Sequence, residues 1–212
     1  IVITTSRNVQ VSDLTLLPEW SDTNSTQDLV SVAGDGSSFV TATDNRVRMY
    51  TRSGNLLWDK KCPGGNALAL ALSHDGSTIV LGMDNNNLHV LDKNGVQLFT
   101  ARANNWITCV AVSDDGNTIA AGSLDKKLSV YNHAGTQLGT FTAGSPIRFN
   151  SVALTGDGSL IVVVDDSAVY GLPRSSFIRE EITGDTIPVP PAETTGELTT
   201  PSLPVSVTRN VS

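Results

Sequence analysis

An all-β chain built from serially repeated four-stranded antiparallel sheets is what this sequence predicts, and three observations carry that prediction. Asp-Gly dipeptides recur at Asp35-Gly36, Asp75-Gly76, Asp115-Gly116 and Asp157-Gly158, spaced 40, 40 and 42 residues apart. A second Asp follows each at Asp44, Asp84, Asp125 and Asp165, spaced 40, 41 and 40, and a third marker stands at Gly54, Gly95 and Gly135, spaced 41 and 40. Markers that hold one register over several copies define an internal repeat. Helix signals are lacking: no apolar period of 3.6 residues is sustained and no capping box leads into one.

Within a copy the elements follow from local chemistry. In the third, Ile107 to Ser113 reads as a strand, Asp114-Asp115-Gly116-Asn117 as a turn, and Thr118 to Ser123 as a second strand. Leu124 to Lys127 is a loop and Leu128 to Asn132 a third strand. His133-Ala134-Gly135 then turns the chain into Gln137 to Phe141. The Asp-Gly pairs close tight hairpins because Gly accepts a positive φ and Asp hydrogen-bonds its own backbone. Leu68, Leu70 and Leu72 alternate along a first strand, whereas Thr78-Ile79-Val80-Leu81 is apolar almost throughout, a combination suited to sheets stacked face to face. A repeat of this length carrying four strands predicts a β-propeller.

The runs Val110 to Phe141 (VAVSDDGNTIAAGSLDKKLSVYNHAGTQLGTF) and Leu70 to Ala101 (LALSHDGSTIVLGMDNNNLHVLDKNGVQLFTA) resemble blades of the WD40-like and PQQ-like repeat proteins of prokaryotic, especially archaeal, cell surfaces. The resemblance covers roughly Ile1 to Leu172, and the class favoured beside it is a non-enzymatic scaffold. It departs from the WD40 pattern at definite places. The Asp after the second strand is kept at Asp44, Asp84 and Asp125, but the Gly-His pair is missing, and the Trp-Asp position reads Tyr50-Thr51, Leu91-Asp92 and Tyr131-Asn132. Gly54 to Trp58 resembles the PQQ-type blade ending, with Phe99 and Gly139 at the corresponding places of later copies.

The two ends of the sequence complement each other. Ile1 to Ser6 matches a second strand, Asn8 to Asp13 a third and Leu14 to Trp20 a fourth, so the first blade lacks its innermost strand. Val205 to Ser212 aligns with Val152 to Ser159, and Ile1-Val2-Ile3 continues it as Leu160-Ile161-Val162 continues the other. The expectation is a five-bladed β-propeller of four-stranded antiparallel blades, its first blade completed by the C-terminal strand. Val205, Val207, Ile1 and Ile3 would form that closure. Blades occupy residues 1–182, the Pro/Thr-rich stretch 183–202 is an extended linker, and 203–212 is the terminal strand. About 20 extended residues at ~3 Å each cross a small propeller or reach a neighbour equally well. The strand therefore closes its own ring or is donated to another copy, building a filament or layer by strand addition.

Composition bounds the partners. Of 212 residues, 14 are Lys or Arg and 21 Asp or Glu, a net charge of −7, which disfavours nucleic acid. No apolar run approaches the roughly 18 residues of a membrane span. Two cysteines, Cys62 and Cys109, fall at different places in their repeats and read as free buried thiols. Ile1 opens the chain with no basic or apolar leader ahead of it, which fits a processed precursor or a piece of a longer protein. Asn24-Ser25-Thr26 and Asn210-Val211-Ser212 satisfy the glycosylation sequon. With sparse Lys, many Thr, Ser and Asn, and the Thr/Pro stretch, they point to an extracellular or cell-surface location.

Candidate chemistry is sparse. Asp84-Asn85-Asn86-Asn87 and Asp114-Asp115 offer oxygens of the kind calcium takes, and carboxylates serve acid/base catalysis, but a residue repeated in every copy serves the turn. His74, His89 and His133 stand at no metal-ligand spacing. No catalytic residue, metal or cofactor is expected. Three classes remain: a scaffold binding other proteins or copies of itself, a glycan- or peptide-binding module using Trp106 and the Asn104-Asn105 pair, and a quinoprotein-type enzyme fragment. For Trp106, packing between blades is the competing role.

Overall fold

The computed structural model describes residues 2–5, 8–12, 18–22, 29–43, 45–62 and 64–177. They form five antiparallel sheets and one short 3-10 turn. The first sheet holds β1 (Val2–Thr5), β2 (Asn8–Ser12) and β3 (Pro18–Asp22), and the second β4 (Leu29–Val32), β5 (Ser38–Ala42), β6 (Arg46–Thr51) and β7 (Leu56–Lys61). The third holds β8 (Ala67–Leu72), β9 (Thr78–Met83), β10 (Asn87–Asp92) and β11 (Gln97–Arg102), and the fourth β12 (Ile107–Val112), β13 (Thr118–Ser123), β14 (Lys127–Asn132) and β15 (Gln137–Thr142). The fifth holds β16 (Val152–Leu154), β17 (Leu160–Val164) and β18 (Val169–Pro173), after which Arg174–Ser176 makes a 3-10 turn.

Every sheet is a meander in chain order. The innermost strands β4, β8, β12 and β16 stand side by side. In the first sheet β1 is the edge strand, pairing β2 from Val2↔Val11 to Thr5↔Asn8, and it lies near β4 as β5 lies near β8. The last strand of that sheet runs Pro18–Asp22, later in the chain than the Leu14 to Trp20 expected. A bulge recurs where the third strand meets the fourth, at Val11/Ser12, Met49/Tyr50, Val90/Leu91 and Val130/Tyr131. It re-aims the backbone before each outer turn.

The second strands are buried on both faces because a sheet packs on each side. All six residues of β9 and of β13 are buried. From β9, Ile79 and Leu81 join Val40, Met49 and Leu72 between the second and third sheets, while Val80 joins Leu88, Ile107 and Ile119 between the third and fourth. Cys109, Leu128, Ile147, Ile161 and Phe177 fill the wedge between the fourth and fifth. Each fully buried Ile or Leu contributes about 1.5–3 kcal/mol. Small residues let the inner strands approach: a Cβ at Gly82 would lie 2.7 Å from the Ile107 carbonyl oxygen. Cys62 and Cys109 are both buried and unpaired.

Outer strands pack on the next sheet through an aromatic group and a glycine. Trp58 donates its indole N–H to the Lys93 carbonyl at 2.8 Å, beside Gly95. Phe99 lies against Gly135, where a Cβ would meet its ring at 2.7 Å. In the next copy the roles reverse: Gly139 stands at the aromatic position and leaves room for Phe177, which is buried.

Candidate functional site

Four inner hairpins crowd one end of the sheets, each built by the same short-range chemistry. Asp35, Asp75, Asp115 and Asp157 each accept, through Oδ1, the backbone N–H two residues on, at 2.8–3.0 Å. The glycine that follows has φ of +68° to +72° in all four. Ser73, Ser113 and Thr155 donate their hydroxyls to the same Asp at 2.6 Å and accept the N–H of residue i+5. The Thr155 hydroxyl and the Ser159 N–H lower the Asp157 carboxyl from its ordinary value to about 2. Asp35 and Asp115 are lowered by hydrogen bonding too, and at Asp75 the Ser73 hydroxyl and Ser77 N–H outweigh burial.

These hairpins touch. Gly34 N–H donates to the His74 carbonyl at 2.8 Å, Asp75 N–H to that of Asp114 at 3.3 Å, and Asp114 N–H to that of Gly156 at 2.7 Å. Gly34, His74, Asp114 and Gly156 hold the same place in the repeat and form a hub. The His74 ring lies over Gly34 and the Asp114 carboxylate over Gly156, each filling the space a Cβ would take. His74 Nδ1 stands 3.9 Å from Asp114 Oδ1. Farther out on this end, a cleft of about 410 Å³ is lined by Asp115, Asn132, His133, Asp157 and Arg174.

The opposite end carries the turns after the second strands and the loops between sheets, and Asp residues join the two. Asp84 accepts the N–H of Asn66 at 2.9 Å, Asp125 that of Asn104 at 3.0 Å, and Asp165 that of Ser145 at 2.9 Å. In each case the carboxylate fixes the loop that delivers the chain into its own sheet. Asp165 also takes the hydroxyl and N–H of Ser167, which hold its carboxyl well below the usual carboxylate range. Asp44 lies outside the described residues.

Trp106 is 46% exposed, its backbone N–H bonded to Asn105 Oδ1 at 2.8 Å. Phe149, on the next inter-sheet loop, is 53% exposed. The 42-residue spacing explains it. Ile147 packs on Gly122 as Ile107 packs on Gly82, a 40-residue step, so the two extra residues fall just beyond Ile147. They bulge outward at Arg148-Phe149-Asn150, with Asn150 at φ +57° and Arg148 clamped to Asp166 by bonds of 2.7 and 2.8 Å. Thr108 Oγ1 donates to the Ile147 carbonyl at 2.7 Å, linking the Trp106 and Phe149 loops. In the sequence, the lengthened 42-residue spacing is the signal that marks Phe149.

Of the remaining candidates, His89 is buried on β10, its Nδ1 within 3.0 Å of Gln97 Oε1 and 3.2 Å of Thr100 Oγ1. His133 lines the hairpin-end cleft, apart from His89. Among the described residues no three His, Cys, Asp or Glu side chains cluster as a metal site, and no helix is long and apolar enough to cross a membrane. Ile1, Asn24, Val205, Val207 and Asn210 lie outside the described residues, and Ile3 is placed on β1.

Repeated antiparallel sheets with side-by-side inner strands define an all-β propeller of blades. Residues 95–132, from the turn before β11 to the end of β14, match the family model of the WD domain, G-beta repeat (WD40), which supports a WD40-like repeat β-propeller. No curated protein matches the chain. WD40 repeats indicate a protein-interaction scaffold and are generally non-enzymatic.

Proposed function

We propose that this chain is a non-enzymatic scaffold of the cell surface or extracellular space, a five-bladed ring that binds other proteins through the end carrying the inter-sheet loops. The exposed pair Trp106 and Phe149 carries the reading. Aromatic side chains held on tied loops are the anchors protein interfaces use. Both loops are fixed from beneath, by Asp125 and by the Arg148–Asp166 pair, so presenting the rings costs little ordering on binding. The carboxylates of the repeated Asp residues close the turns they stand in. The sequons at Asn24 and Asn210 and the Thr/Pro stretch support export.

In this reading residues 1–182 make the blades, 183–202 are an extended linker, and the terminal strand with Val205 and Val207 completes the first blade. The chain's own strand is favoured over a neighbour's because its effective concentration is higher. Light scattering on the full chain and on a version ending at Thr183 tests the closure. A monomer that loses stability on truncation supports it, whereas polymers that vanish on truncation would make the chain a filament subunit. For the binding face, cross-linking on intact cells compares the full chain with Trp106→Ser/Phe149→Ser. Adducts lost in the variant support the scaffold. Retained protein adducts, or a thermal shift with a glycan panel that Trp106→Ser abolishes, overturn it in favour of another face or the glycan module.

A further inference from the structure

Basic side chains recur at one place in the repeat. Arg52, Lys93, His133 and Arg174 are spaced 41, 40 and 41 residues apart, each in the turn that follows the third strand of its sheet. That turn lies beside an inner hairpin: Arg52 donates its backbone N–H to the Ser37 carbonyl, and Arg174 to the Ser159 carbonyl, both at 2.8 Å. Elsewhere Arg46 and Arg48 are paired with Asp59, and Arg148 with Asp166. None of the four repeated basic groups makes an ion pair or a side-chain hydrogen bond among the described residues, and Arg174 Nε is buried with no hydrogen-bond partner. In a chain of net charge −7, a row of unpaired basic groups is capacity left for an anion.

Two clefts join these side chains. One of about 400 Å³ has Lys93 and His133 on its walls with Asp92 and Asp115, and the cleft of about 410 Å³ has His133 and Arg174 with Asn132 and Asp157. They are one site built twice, a repeat apart: Lys93 in the first stands where His133 does in the second, and His133 where Arg174 does. Both are lined by Asp115, Asn117 and His133. No apolar side chain larger than Ala134 lines either one, so neither offers the aromatic anchor that protein interfaces use. Polar capacity is left over. Asn132 Oδ1 accepts the Thr136 N–H and its amide N–H groups remain, while Asp157 Oδ1 takes Thr155 and Ser159 and its Oδ2 remains.

We infer that these clefts bind an acidic glycan, an oligosaccharide carrying hexuronic acids, at the end of the sheets opposite Trp106 and Phe149. Lys93 and Arg174 take its carboxylates, Arg174 through the paired donors of its planar fork, and His133 donates between them. Asn132 and Asp157 meet its hydroxyls. The Asp carboxylates beside the basic groups repel a densely sulfated chain but accept sugar hydroxyls, which sets the charge density of the ligand. Because the two clefts share His133, the ligand is extended rather than a single ion. The site stands whether or not the loop-end aromatics bind protein.

The test is titration calorimetry on the full chain, without calcium, using a galacturonic acid hexamer as the probe and a neutral glucose hexamer and a glutamate hexamer as controls. The variants are Lys93→Gln, Arg174→Gln, Lys93→Gln/His133→Gln and Trp106→Ser. Lys93 and His133 are exposed, so their double variant keeps the test sound if the half-buried Arg174 proves necessary for folding. The galacturonic acid hexamer is expected to bind, about two- to fivefold more weakly for each cation removed. High salt should weaken it as well, and Trp106→Ser should leave it unchanged. No binding of that hexamer would overturn the proposal. Equal affinity for the glucose hexamer would show that the basic groups play no part, and equal affinity for the glutamate hexamer would reassign the clefts to an acidic peptide; either result overturns the acidic-glycan assignment. Binding that survives every charge variant, or that Trp106→Ser abolishes, would place the glycan elsewhere on the molecule and overturn it too.

Discussion

Asp84 grips Asn66 with both carboxylate oxygens, taking its backbone N–H on Oδ1 and its side-chain N–H on Oδ2, each at 2.9 Å. The residue after the second strand of a sheet thus anchors the loop through which the chain enters that sheet. Asp125 and Asp165 repeat the arrangement on Asn104 and Ser145.

Asp84→Ala leaves the Asn66 N–H without its ionised acceptor. Hydrogen bonds to charged groups contribute about 1.5–3 kcal/mol, so urea unfolding of this variant is expected to show a loss in that range. Asp84→Asn, which keeps one acceptor oxygen, should retain part of it. Wild-type stability in the alanine variant would mean that the loop is held by its backbone alone.

Two glycines should respond differently to the same methyl group. At Gly122 a Cβ would come within 2.6 Å of Cys109 Sγ and 2.7 Å of Ile147 Cγ2, inside the wedge between the fourth and fifth sheets. Overpacking of that kind costs about 1–3 kcal/mol. At Gly36 nothing lies within 4 Å, and the penalty is the positive φ of +68° alone, about 1–2 kcal/mol. Gly122→Ala should be partly rescued by Cys109→Ala, and Gly36→Ala should not. Thermal unfolding of the four variants checks this, and equal rescue of both would refute the packing account.

Strand limits in the third and fourth sheets were legible because turn chemistry there is local. Ile107, Thr118 and Gln137 begin strands where the sequence puts them. What sequence reasoning could not fix depends on how neighbouring copies meet. Whether the two extra residues before β16 point in or out is settled by Ile147 seating on Gly122 and by the left-handed Asn150. The interlock of His74 over Gly34 needs two hairpins 40 residues apart to touch. The reversal at Gly139 and Phe177 likewise pairs a missing aromatic in one copy with one just past the last described strand. Each is a tertiary decision between residues that the repeat register aligns but does not orient.

Acid should weaken the hairpin end within a definite window. The Thr155 hydroxyl, at 2.6 Å, and the Ser159 N–H hold Asp157 near about 2, against 3.8 for the free group. A carboxyl depressed in the folded state contributes stability that is fully present above its unfolded value and lost as pH falls through the folded one. Asp35, Asp75 and Asp115 shift in the same direction. Stability should therefore fall between about pH 4 and pH 2. Thr155→Val removes the principal donor, and NMR titration of Asp157 should then move up toward 3.8. An unchanged titration would show that the hydroxyl does not set it.

The two thiols report on separate parts of the fold. Burial pushes both Cys62 and Cys109 up to about 11, so neither carries appreciable thiolate near pH 8 and neither should react with a disulfide reagent while folded. Their places differ. Cys62 follows β7 in an inter-sheet loop, tied by its N–H to the Asn45 carbonyl at 2.6 Å. Cys109 sits on β12, wedged against Gly122 beside Ile147. Exposing Cys62 requires a loop to open, whereas exposing Cys109 requires the fourth and fifth sheets to part. Labelling in graded urea should modify Cys62 at lower denaturant than Cys109, with Cys109 following the global transition. If Cys109 reacts first, the wedge between those sheets is the weakest part of the molecule, and the burial of Ile147 and Phe177 there contributes less to stability than its extent implies.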